Sequence, residues 1–295
     1  MNARQTPAHE LTSATWPAQL RLRFAHRETL GTRLVESIHH GPLRVQRPFY
    51  PEGPQCAHVY LLHPPGGLVS GDDLAISIHA SEKAQALITT PGAGRIYRAR
   101  ELYLPARQTQ RINLSIDALG MLEWLPQPTI VFDGADVSLD LHVDLAADAA
   151  FIGWETLCLG RPAGHSPFLR GRIEQRWCVR RDGVALLNDR LVVAGDDALR
   201  AARWGLRDNP VYATLLAIPR AAQPLTTAVI EELRHHLTAA AADSEMAVTL
   251  VRGMVIARYL GACTERAHTL FDLCWRTLRP LLNGRDAVRP RIWNT

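Results

Sequence analysis

The sequence of 295 residues has almost no lysine; its positive charge is carried by arginine, spread through every segment without a basic cluster. Lys plus Arg number 33 against 29 Asp plus Glu, a formal net charge of +4, and this argues against the concentrated footprint of a nucleic-acid binder. Dispersed guanidinium groups suit planar contacts with carboxylates on a protein partner instead. The first twenty residues lack the apolar centre of a signal peptide, and no apolar run approaches the roughly 18 residues of a membrane span. The expectation is a soluble, cytoplasmic protein with no membrane partner. Five cysteines (Cys56, Cys158, Cys178, Cys263, Cys274) are odd in number, widely spaced and free of any C-x-x-C pair. That pattern argues against a disulfide framework and a zinc knuckle, and predicts reduced, mostly buried thiols. Also absent are H-E-x-x-H, G-x-S-x-G and the G-x-x-x-x-G-K-[ST] phosphate loop, as are internal repeats and low-complexity stretches.

What is present is apolar content of 47%, ample for a core, arranged as short runs with period-two alternation cut by Gly, Pro, Asn and Asp. Strands are predicted over Leu20–His26, Ala57–His63, Leu74–His79, Gln110–Ile116, Val137–Leu145, Arg172–Val179 and Val184–Val193. No helical pattern of about ten residues intervenes, which argues against βαβ units and a doubly wound sheet. The fold class is therefore mainly β, a β-rich sandwich, barrel or β-helix-like stack, with a smaller C-terminal α+β part. After Gly195 the texture changes: a short helix is predicted over Asp197–Trp204 and a longer one over Pro224–Ala242. Met246–Val251 and Met254–Leu260 flank Arg252-Gly253 as a tight hairpin, and Thr264–Leu282 reads as an amphipathic helix closed by Asn283-Gly284. The domain expectation is a flexible segment at 1–18 and one domain at 19–295, with the β body at about 19–195 and the α/β portion at about 196–285.

Several local motifs bear on chemistry. His63 to Asp73, HPPGGLVSGDD, is a loop built for special backbone angles. Its Asp72 and Asp73, with His63, either present oxygen and nitrogen ligands to a divalent cation or cap their own turn. Thr90 to Tyr97 is a second glycine-rich turn, but with no helix after it a phosphate cradle is not expected, and Arg95 is free to reach a carboxylate. Glu123 and Asp133 bound an apolar stretch with two prolines and read equally well as edge-strand punctuation. Glu155 sits inside an apolar alternating run; its burial there requires a partner, for which Arg161 is the local candidate. Cys263 and His268 lie five apart around a helix start, too few ligands for a metal centre.

Six blocks, in order, resemble the urease accessory protein family UreD, also called UreH. They are Gly41 to Gly53 (GPLRVQRPFYPEG), His63 to Asp72, Thr89 to Ala93, Leu122 to Gln127 (LEWLPQ), Leu157 to Pro162 (LCLGRP) and the terminal Pro290 to Trp293 (PRIW). The resemblance implies a mostly β scaffold, not an enzyme, that works with UreF-type and UreG-type partners and the urease apoprotein to carry nickel to the urease active site. It implies no tightly bound cofactor, only transient Ni2+ in an internal polar tunnel. Asp72, Glu155 and Asp189 are the positions it carries over for nickel passage, and Arg95, Glu123 and Arg161 are the further polar motif residues. Isolated carboxylates suit a passage that must both admit and release its ion.

Two departures bear on that carry-over. After Gly160-Arg161-Pro162 a Gly-Glu pair is expected, whereas this chain reads Ala163-Gly164-His165-Ser166. The Pro91-Gly92-Ala93 turn is followed by Gly94-Arg95, so a hydroxyl is lost while the positive charge stays. The alternatives are a divalent-metal-dependent enzyme on a β scaffold, which needs at least three converging ligands, and a plain interaction protein.

Overall fold

Strand residues alternate between two environments, and the difference between them explains the architecture. The computed structural model describes residues 15–100 and 107–294. In chain order the strands are β1 (Trp16–Arg27), β2 (Gly31–His40), β3 (Arg44–Val45), β4 (Cys56–Leu62), β5 (Asp72–Ala80), β6 (Gln85–Thr89), β7 (Gly94–Ile96), β8 (Gln108–Ile116) and β9 (Met121–Trp124). There follow β10 (Thr129–Val131), β11 (Asp136–Leu145), β12 (Ala150–Arg161), β13 (Ser166–Pro167), β14 (Arg172–Arg181), β15 (Val184–Ala194), β16 (Val211–Ile218), β17 (Met246–Val251) and β18 (Met254–Gly261). The helices are α1 (Thr227–Ala239) and α2 (Thr264–Asn283).

Two large sheets result, with orders β15-β14-β11-β8-β5-β1-β2 and β17-β18-β16-β12-β9-β6-β4-β3. From β4 to β14 the chain crosses from one sheet to the other at almost every step, so β5, β8, β11 and β14 stack in parallel in the first sheet and β4, β6, β9 and β12 in the second. Parallel neighbours need a long crossover, usually helical. Here the crossover is a strand of the opposite sheet, which yields the β-helix-like stack expected and needs no βαβ unit.

The first sheet has one wet face. β5 alternates strictly between buried and half-exposed residues, while β4 is buried along nearly its whole length because α1 and α2 cover the outer face of its sheet. One core cluster therefore fills the lumen between the sheets, with Phe24, Ile76, Trp124, Leu141, Phe151 and Trp177 among its members, and a second lies between the second sheet and the helices. On α2 the spacing of Ala267, Leu270, Phe271, Cys274, Trp275, Leu278 and Leu282 makes the buried stripe. Gly284 ends the helix in the left-handed region at φ 71°, its N–H donating to the Pro280 carbonyl. Arg252 and Gly253 both take positive φ between β17 and β18, as a two-residue hairpin turn of the primed type requires.

Two expectations change. Asp197–Trp204 is a run of turns: the Ala202 N–H reaches the Ala198 carbonyl, but Arg200 and Gly205 bond three residues back, and Arg207 and Asp208 take positive φ. Isolated helical turns of this length lack the bonds to offset nucleation. The segment 1–18 is shortened at its end, since β1 begins at Trp16 and pairs with β5 from there; residues 1–14 lie outside the described residues. All five cysteines are free, with Cys56, Cys158 and Cys274 buried and Cys263 exposed. Among the described residues no helix is long and apolar enough to cross a membrane.

Candidate functional site in the lumen

Period-two alternation on β12 sends Phe151, Glu155, Leu157 and Leu159 into the lumen and Ile152, Trp154 and Cys158 towards the helices. A carboxylate thus stands among the otherwise apolar lumen side chains of β12. It faces a cavity of about 320 Å³ whose walls come from both sheets, including Ile76, Gln110 and Leu139 on one side and Leu61, Trp124 and Leu157 on the other. His63, Thr90, Arg95, Gln127 and Thr129 bring polar groups to the end where the 90–95 turn is exposed.

The Glu155 side chain accepts a hydrogen bond from Gln175 Nε2 at 2.8 Å. The indole N–H groups of Trp124 and Trp177 lie near enough to lower its pKa, and neither has another hydrogen-bond partner among the described residues. Burial outweighs these donors and raises the carboxyl to about 7. Among the described residues no cation pairs with it: Arg161, the local candidate, is exposed and instead lies over the Phe132 ring with a contact to Ser166. Six residues further along β12, Arg161 stands at the strand end and away from Glu155.

Asp72 opens β5 and does not line the cavity. Its Oδ2 accepts the Val69 N–H at 2.8 Å while its own N–H donates to the Val69 carbonyl, so it caps the turn of its loop. Burial raises its pKa against the Val69 N–H and the neighbouring His63, and burial lowers that of His63 against Asp72. His63 lines the cavity and lies near enough to Asp72 for each to shift the other. Asp73 points to the wet face and binds Thr109 and Arg111.

Asp189 lies on the edge strand β15, half-buried, with Arg258 of β18 donating to its Oδ2 at 2.7 Å. Arg258 also reaches the Tyr212 hydroxyl at 3.4 Å, to which Thr214 Oγ1 donates at 3.0 Å. Thr214 is the register partner of both Glu155 and Arg258. A polar row therefore runs across the second sheet from Glu155 through Thr214 and Tyr212 to Arg258, which reaches over to Asp189 of the first sheet.

Glu123 is neither edge punctuation nor a lumen group. On β9, Leu122 and Trp124 point into the lumen, so Glu123 points the other way, 1% exposed beneath α2. It accepts from Trp275 Nε1 at 2.7 Å and Arg279 Nε at 2.9 Å, and Arg279 also grips both oxygens of Glu52, at 2.7 and 2.8 Å. His58 Nε2 lies 2.7 Å from Glu52. Burial works to raise the Glu52 carboxyl, but His58 and Arg279 hold it down at about 2. Donor atoms of Glu52, Cys56 and His58 lie within 4.8 Å of one another. This trio is not a convincing metal centre: Glu52 is engaged by a guanidinium, and burial beside Glu123 and Glu52 keeps Cys56 a thiol. The Pro290 to Trp293 block closes the same region, with Trp293 Nε1 donating to Thr89 at 2.8 Å and the ring lying against Trp154, Trp275 and His268. His268 is thereby a packing residue.

Gln175, Trp177, Tyr212, Thr214 and Arg258 belong to no motif, and Trp124 is marked only as part of the LEWLPQ block. The available signal was phase: Gln175 shares the inward phase of Ile173 and Trp177, and Arg279 shares the apolar stripe of Trp275.

Comparison with known proteins gives the family. The family profile described as UreD urease accessory protein matches residues 17–294. Urease accessory protein UreD of Marinomonas sp. (strain MWYL1) is 42% identical, over 97% of this chain and 92% of its own. The namesake from Psychromonas ingrahamii is 39% identical over 95% and 94%, and that from Alcanivorax borkumensis 41% identical over 100% and 96%. The chain therefore belongs to the UreD family of urease accessory proteins, and serves urease maturation as an accessory protein rather than as an enzyme.

Proposed function

We propose that this chain acts in the cytoplasm as a scaffold that binds UreF-type and UreG-type partners and the urease apoprotein, and that nickel for the urease active site passes through its lumen as cargo. The observation that carries this reading is the isolated carboxylate of Glu155 on an internal cavity, held by neutral donors and, among the described residues, by no cation. Nickel favours imidazole and thiolate over a lone carboxylate. Glu155 with His63 at the cavity end is accordingly a weak station, and weak stations release what they admit. Asp72 contributes beside His63, and Asp189 at the far end of the polar row, where Arg258 must yield before a cation can bind. A metal-dependent enzyme needs three converging ligands with an open position. Among the described residues the one such group, Glu52, Cys56 and His58, is tied to Arg279, which favours transit over catalysis.

The test is urease produced in cells with and without this chain. Expected without it is urease polypeptide at normal level, poor in nickel and weakly active, with partial rescue by added nickel. Full activity and full nickel content without the chain would remove the proposal.

A further inference from the structure

Four guanidinium groups gather where the lumen cavity reaches the surface. Arg95 lines the cavity itself, while Arg98, Arg100 and Arg161 line an adjoining groove of about 940 Å³. All four are exposed, and none has a carboxylate partner among the described residues. Among the described residues the carboxylates nearby are spoken for: Asp133 takes both backbone N–H groups of Leu169 and Arg170 and the Arg170 guanidinium at 2.6 Å, and Asp72 turns inward to Val69. The groove wall also exposes apolar side chains, with Trp16 at 67%, Val69 at 49% and Leu169 at 54%.

Unpaired cations at and beside the cavity opening repel a divalent cation, so they have another purpose than receiving the ion. Guanidinium forks match carboxylates in pairs, and exposed aliphatic and indole surface rewards an apolar side chain between them. Aliphatic groups offer nothing to a phosphate backbone, and the chain's charge is otherwise dispersed. We infer that this groove is the docking surface for an acidic segment of a protein partner, one that carries apolar side chains among its carboxylates and neutralises the mouth as it binds. The inference rests on the proposed cargo path for its purpose, and on the unpaired arginines for its chemistry.

The full chain is titrated against a fluorescently labelled synthetic peptide of Asp, Glu and Leu, against the same peptide with Lys in place of the acids, and against a single-stranded oligonucleotide. The acidic peptide is expected to bind, more weakly as salt rises, and to lose at least tenfold in affinity in both Arg98→Glu/Arg161→Glu and the milder Arg98→Gln/Arg161→Gln chains, each checked for an unchanged melting temperature. Arg180→Glu on the wet face of the first sheet is expected to bind as the parent does. Equal binding of the Lys peptide, indifference to both double variants, or tighter arginine-dependent binding of the oligonucleotide would overturn the inference. Glu155→Gln separates the two proposals: it leaves peptide affinity intact whether or not nickel uses the lumen, so a failed cargo path appears only as full nickel loading with that variant.

Discussion

Replacing Glu155 by Gln removes one ionisable proton from the lumen while keeping shape and hydrogen-bonding capacity. In the folded chain the carboxyl titrates at about 7, against an ordinary 4.5, because burial disfavours the anion. A carboxyl whose folded pKa is raised holds its proton more tightly in the native state. Its contribution to stability is therefore complete below about pH 4.5, declines by about 1.4 kcal/mol per unit between 4.5 and 7, and is gone above 7. Between pH 5 and pH 8 the parent should lose about 2.5 kcal/mol that Glu155→Gln does not lose. The assay is urea unfolding of both full chains at the two pH values, with the difference between them as the readout. A difference that stays constant with pH would refute the claim that this carboxylate is desolvated and unpaired with any cation.

Arg279→Met leaves Glu52 and Glu123 buried without their shared cation and should cost about 3–5 kcal/mol in urea unfolding; a loss below 1 kcal/mol would show that the network is wetter than its burial indicates. Glu52 titrates at about 2, so its contribution is present above pH 4.5 and lost as pH falls from there to 2, at about 1.4 kcal/mol per unit. Glu52→Gln should accordingly flatten the acid limb of a stability–pH curve, whatever its effect at pH 7. Gly160 combines φ 79° with a Cβ position 2.4 Å from the Ser166 carbonyl oxygen, so Gly160→Ala should lower stability by about 2 kcal/mol or more, read as a drop in melting temperature.

The strands were legible because a sheet with one wet face writes its alternation into the sequence, as LAISIH and VSLDLHVDL do. Alternation tells a residue's face and not its neighbour, so the crossing of strands between two sheets, and the pairing of Glu155 with Gln175, had no local signature. Glu155 was visible as an acid inside an apolar run, yet its nearest arginine in sequence, Arg161, proved to be at the strand end. Glu123 shows the converse: the LEWLPQ block marks it, but only the inward phase of Leu122 and Trp124 reveals that it serves the helix face. The buried pairing of Glu52 with Arg279 joins residues 227 apart, beyond the reach of any spacing rule. The 197–204 segment misled because composition favours helix there, whereas Gly205 packs against the Leu199 carbonyl and closes the chain into turns.

The most direct test of the cargo path is the nickel content of urease matured in cells at limiting nickel with the parent chain or with Glu155→Gln, after confirming that the variant accumulates and melts as expected. The account predicts urease at normal level with markedly less nickel per active site when Gln stands at 155, and recovery as nickel is raised. Nickel content equal to the parent's at limiting nickel would contradict passage through the lumen.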